Sequence, residues 1–201
     1  MTPFTTHTGI ACPLGLANVD TDQIVPGRYL KLKRGEGLGK ILFADLRFRD
    51  GEEVESFPLN RSAWRNSSLL VARRNFGSGS SREAAVYALE EFGIRAVVAP
   101  SFGDIFASNS VKNGLVPACV PETVIEDLLA ALVSKPDLPV TVDLATLEVR
   151  WGNRTAAFTI DAAWREQLLN GWDDLAVTRA RADAISAFKQ RDAMLRPWAK
   201  L

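Results

Sequence analysis

Between Ser68 and Val133 short apolar runs alternate with amphipathic stretches three times over, and this rhythm limits the possible folds more than any other feature. Ser68–Ala72 (SLLVA), Arg95–Ala99 (RAVVA) and Leu115–Val120 are short and apolar, as strands covered on both faces are. Arg82–Phe92 places Ala85, Ala88, Leu89 and Phe92 on one helical stripe, and Gly93 follows where a helix end favours positive φ. Ser101 can cap a second helix running to about Asn113, with Asp104 adding favourable charge near its start. Pro121–Val133 reads as a third helix opened by proline. The alternation predicts an α/β fold: a parallel sheet with covering helices.

The flanking segments add to this frame. Before Ser68, apolar runs broken by Pro13, Pro26, Pro58 and several glycines predict strands joined by long loops. Leu30–Lys40 (LKLKRGEGLGK) predicts a mobile surface loop, either solvated or acting as an anion-binding flap. His7, the lone histidine, falls in a predicted turn, His7-Thr8-Gly9, with a structural role. Three further β-like runs are expected around Val140–Val142, Leu147–Trp151 and Ala156–Ile160, with a turn at Gly152-Asn153. Asp161–Leu201 predicts helices broken at Gly171, their arginines and aspartates forming a solvated face or a docking surface. The chain is expected to form one domain over residues 1–201, with a helical extension from about residue 161.

Charge and cysteine content narrow the function classes. Twenty-four basic residues balance twenty-four acidic ones, so no charge excess favours nucleic acid or an anionic membrane. No apolar stretch has the length of a membrane span and Met1–Gly9 lacks an apolar leader, so a cytoplasmic protein is expected. The two cysteines, Cys12 and Cys119, lie far apart in sequence. They fit buried small hydrophobes, and by number they fall short of a structural zinc site or an iron–sulfur cluster.

Asn75–Glu83 (NFGSGSSRE) is the segment with chemistry in it. It links a predicted buried strand to a predicted helix, and the carboxyl ends of parallel strands are where open α/β sheets bind ligands. Free N–H groups and the helix dipole favour an anion there. Ser78, Ser80 and Ser81 add hydroxyls, and Arg82 can grip a carboxylate with two parallel hydrogen bonds. The spacing is neither that of a Walker A loop nor that of a Gly-x-Ser-x-Gly elbow. From the residues alone, a serine-rich helix cap with a glycine turn remains an equal alternative.

That segment, with Ala99–Phe106 (APSFGDIF), Asn113–Pro117 (NGLVP), Asn18–Pro26 (NVDTDQIVP) and Phe158–Gly171 (FTIDAAWREQLLNG), resembles the isopropylmalate dehydratase small-subunit family of the aconitase superfamily. The resemblance spans nearly the whole chain and implies a swivelling domain of mixed β and α layers. It implies a hydro-lyase subunit acting on a small-molecule hydroxy diacid, active with a cysteine-bearing large subunit that carries a [4Fe–4S] cluster. By position it makes Ser80 the proton-abstracting serine and Asp22 an active-site aspartate. Ser81 and Arg82 become carboxylate-binding residues, with Arg28 or Arg34 a further substrate arginine. Asp20 reads as a turn cap. Ser78 stands where the family usually has cysteine, and Ala84 where it usually has histidine. Other hydroxy diacids of the methylmalate, dimethylmalate or homoaconitate type therefore stay open as substrates. So does a noncatalytic binding subunit of the same fold.

Overall fold

The computed structural model describes residues 1–199. Among these, nine strands form a seven-stranded sheet and a separate two-stranded hairpin. The strands are β1 (Thr6–Pro13), β2 (Phe48–Arg49), β3 (Glu52–Glu53), β4 (Leu69–Val71), β5 (Ala96–Ala99), β6 (Val116–Cys119), β7 (Pro139–Asp143), β8 (Glu148–Trp151) and β9 (Arg154–Ala157). The helices are α1 (Thr21–Ile24), α2 (Ala44–Arg47), α3 (Glu83–Phe92), α4 (Asp104–Lys112), α5 (Glu122–Ser134), α6 (Ala162–Asn170), α7 (Asp174–Arg179) and α8 (Ala182–Leu195).

The large sheet runs β6-β5-β4-β1-β7-β8-β9. Its pivot is β1, which changes partner along its length. Thr6–Ile10 pairs antiparallel with β7, and Ala11–Pro13 pairs parallel with β4. The expected parallel sheet is thus one half of a mixed sheet, because β7–β9 extend the same hydrogen-bond ladder. β1 also corrects the reading of His7 as a turn residue: it lies in a strand, its Nε2 2.7 Å from Ser68 Oγ. Its structural role stands.

Both faces of the parallel half are covered, which is why β4, β5 and β6 are continuous apolar runs. Alternation sorts their side chains. Leu70 and Val97 face a core completed by Ala85, Val86, Ala88 and Leu89 of α3. Leu69, Val71, Ala96 and Val98 face a second core completed by Ile125, Leu128, Leu129 and Leu132 of α5. Gly93 ends α3 at φ 108°, as its position predicts. The expected cap of α4 is different: Gly103 occupies the N-cap, and the Ser101 hydroxyl instead accepts the N–H of Asn75.

Leu30–Lys40 also departs from a free flap. Glu91 accepts the N–H groups of Gly35 and Gly39. A side chain at Gly39 would stand 2.7 Å from the α3 backbone at Glu91 and Phe92. The segment is docked on α3, with Leu38 fully buried.

Candidate active site

Because β1, β4, β5 and β6 are parallel, their carboxyl ends share one edge, and the loops that follow meet there. The loop after β4 runs between its neighbours like a short strand. On one side, Gly77 and Ser78 donate to the Val19 carbonyl (2.7 and 3.2 Å), and Thr21 N–H donates to Ser78 O (2.9 Å). On the other side, Phe76 donates to Ser101 O and Gly103 donates to Phe76 O (3.0 and 2.9 Å). Phe102 and Phe106 stack beneath the crossing, and Phe76 meets both edge-on. Gly77 has φ 73°, and a Cβ there would fall 2.1 Å from the Phe106 ring. Glycine is required because loop backbone and aromatic floor are in contact.

Beyond this crossing the loop turns outward, and Ser80 and Ser81 are exposed. Arg82 is the N-cap of α3 and makes no side-chain cap bond. The N–H groups of Ser80, Ser81, Glu83 and Ala84 find no backbone acceptor among the described residues. Those of Glu83 and Ala84 lie in the first turn of α3, its electropositive end, and Ser80 and Ser81 lead directly into it.

α1 supplies the opposite wall. Asp20 caps it with a reciprocal pair: Gln23 N–H donates to Asp20 Oδ1 (2.7 Å), and Asp20 N–H donates to Gln23 Oε1 (3.0 Å). This agrees with the capping role read for Asp20. Asp22, two residues on, forms an ion pair with Arg82. Thr21 lies between them, 1% exposed. Its Oγ1 donates to the Ser80 carbonyl (3.0 Å) and lies 3.3 Å from Ser80 Oγ.

Ser80, Ser81, Arg82 and Asp22 therefore come together. The two other arginines are paired with other carboxylates. Arg28 pairs with Asp45, holding that carboxyl below its usual range through the shared hydrogen bond, and stacks 4.6 Å over the Tyr29 ring. Arg34 pairs with Glu90 at 2.6 Å, donates to Asn113 Oδ1 at 3.2 Å and stacks over Tyr87. Glu90 lies seven residues beyond Glu83, which is about 10 Å along the helix. Sequence reasoning passed over Thr21, whose only distinguishing feature is burial between two exposed-type aspartates. It also passed over Asn113 as a linker: its Oδ1 meets Arg34 and its Nδ2 donates to Glu83 at 3.0 Å.

The cysteines do not fit an iron–sulfur cluster. Cys12 is fully buried in β1, and burial pushes its thiol pKa well above the ordinary range. Cys119, at the end of β6, donates to Pro100 O at 2.9 Å. Three strand spacings separate them, about 14 Å. Among the described residues no group of His, Cys, Asp or Glu is gathered as for a metal ion. A broad cleft of about 870 Å³ lies elsewhere, against Glu53, Arg61 and Trp64. The serine loop itself is open to solvent at Gly79–Ser81.

A model of the aconitase C-terminal domain matches residues 1–123 of this chain. The chain belongs to the aconitase C-terminal domain family. Within it, the 3-isopropylmalate dehydratase small subunit of Rhodospirillum centenum is 46% identical over 201 residues, covering 99% of both chains. That of Acidothermus cellulolyticus is 47% identical over 197 residues, covering 98% of both. A crystal structure of 3-isopropylmalate dehydratase from Methanocaldococcus jannaschii superposes with a TM-score of 0.66 at 28% identity, covering 92% of this chain and 99% of that one. The mixed, mostly helix-covered sheet is therefore the family's fold. No helix among the described residues is long and apolar enough to cross a membrane.

Proposed function

We propose that this chain is the small subunit of a 3-isopropylmalate dehydratase. The enzyme is a hydro-lyase that interconverts 2-isopropylmalate and 3-isopropylmalate by dehydration and rehydration, in leucine biosynthesis in the cytoplasm. The observation that carries the reading is the position of Ser80: exposed, beside the free N–H groups of α3, in a chain similar to such subunits along its full length.

In this reading Ser80 enters as the alkoxide, its own proton having passed to solvent, and Oγ takes the proton from the carbon next to the hydroxyl-bearing one. The C–H electron pair becomes the new C=C bond as the hydroxyl departs with the C–O pair. A serine hydroxyl is too weak an acid to do this unaided, so its alkoxide must be stabilised. The N–H groups at the head of α3 and the Arg82 guanidinium supply positive charge for that purpose. Ser81 and the Arg82 protons that Asp22 leaves free hold a substrate carboxylate. Asp22 fixes the guanidinium. The [4Fe–4S] cluster belongs to a cysteine-bearing large subunit, which covers the open loop and excludes water.

The test is anaerobic co-expression with the large subunit, followed by a panel of hydroxy diacids assayed for alkene absorbance. Isopropylmalate is expected to react only when both chains are present. An assembled, cluster-loaded complex that forms alkene from another hydroxy diacid and none from isopropylmalate would overturn the substrate assignment.

A further inference from the structure

We infer that Thr21 is a positioning residue that orients the proton of Ser80 and stabilises its alkoxide; this rests on the reading of Ser80 as the base. The carrying observation is that a buried hydroxyl reaches two atoms of Ser80 at once. Thr21 Oγ1 has one proton to give. The carbonyl of Ser80, at 3.0 Å, only accepts, so that proton is committed to it. Toward Ser80 Oγ, at 3.3 Å, Thr21 is then an acceptor. The Ser80 proton points at Thr21, and a lone pair of Oγ points outward toward the exposed side.

The same arrangement answers the charged state. When Ser80 loses its proton, Oγ can only accept. The Thr21 proton then turns from the carbonyl to the alkoxide by rotation about one bond, and no other atom must move. Hydrogen bonds to charged groups are stronger than those between neutral ones, so the bond favours the ionised form. Thr21 is fixed for this task. Its N–H donates to Ser78 O, it opens the capped helix α1, and Gly79 lies against it, an added Cβ there coming 3.5 Å from Oγ1. Burial keeps water from taking its place.

The experiment compares Thr21→Val, Thr21→Ser and Ser80→Ala in the complex with the large subunit. Thr21→Val keeps the shape and removes the proton. Its kcat is expected to fall by about 10- to 100-fold, the range of a charge-assisted hydrogen bond, with little change in KM. The acid limb of its kcat profile is expected to move to higher pH, because a less stabilised alkoxide has a higher pKa. Thr21→Ser restores kcat and profile. In the Ser80→Ala background Thr21→Val has no further effect, since the two act as a unit. Thr21→Val with wild-type kcat and profile overturns the inference. So does Thr21→Ser as impaired as Thr21→Val, which would mean that packing at this position, not the hydroxyl, sets the rate. Turnover by Ser80→Ala at the parent rate overturns the underlying base assignment instead, so the two failures are distinguishable.

Discussion

Arg82 is held by Asp22: the guanidinium at the head of α3 is paired with a carboxylate from α1, and the two helices meet across the serine loop. The Arg82 side chain is 23% exposed and the Asp22 side chain 57%. A pair this open to water contributes about 1 kcal/mol or less to stability. Its value lies in aiming the guanidinium.

Asp22→Asn therefore separates stability from function. Denaturant unfolding is expected to shift by less than about 1 kcal/mol. In the complex, kcat/KM is expected to fall about 10- to 100-fold as Arg82 loses its orientation, mainly through KM. Unchanged steady-state kinetics would contradict the role given to the pair.

Gly77→Ala tests the crossing of the loops. The added methyl meets the Phe106 ring in a backbone region that favours glycine. Overpacking and strain together are expected to cost about 2–4 kcal/mol, measured by urea unfolding. Gly51→Ala, where φ is also positive but nothing lies within 4 Å, is expected to cost about 1 kcal/mol. Equal costs at both positions would mean that the Phe106 contact does not hold.

Arg34→Ala tests the docking of Leu30–Lys40. Hydrogen exchange in that segment is expected to rise as the contacts to Glu90 and Asn113 are lost, with kcat nearly unchanged because Arg34 is engaged by those two residues. A large fall in kcat would place Arg34 in the chemistry after all.

The pH dependence has a definite sign. Burial, and then the charge of Arg95, lower the pKa of His7 below its ordinary 6.5. The folded state thus binds fewer protons than the unfolded one over that interval. The contribution is fully present above pH 6.5 and is lost as pH falls through the folded pKa. His7→Gln is expected to flatten the fall in unfolding free energy on acidification from about pH 7 to pH 5. An unchanged slope would show that another group governs it.

The parallel half of the sheet was legible because burial on both faces turns β4, β5 and β6 into apolar runs, and α3 carries its stripe and its glycine cap. β1 was not legible. It serves two partners in opposite directions, ends in Pro13, and alternates neither cleanly nor long enough to stand out. Composition marked the helix start beside Ser80, Ser81 and Arg82, where the head of α3 lies, and the family resemblance gave these residues their expected roles. Thr21 was hidden, since a threonine between two aspartates carries no signal until burial and distance are known. The pairing of Arg34 was not legible: a basic residue in a glycine-rich loop reads as free, and its partners Glu90 and Asn113 are distant in sequence.

The most direct test is the turnover of Ser80→Ala assembled with the large subunit. Ser80 is exposed, so the variant is expected to fold and associate normally, with stability within about 0.5 kcal/mol of the parent. Its kcat is expected to fall by about 10²- to 10⁴-fold, the contribution of a positioned base. A complex of normal size that turns over at the parent rate would contradict the assignment of Ser80 as the proton acceptor.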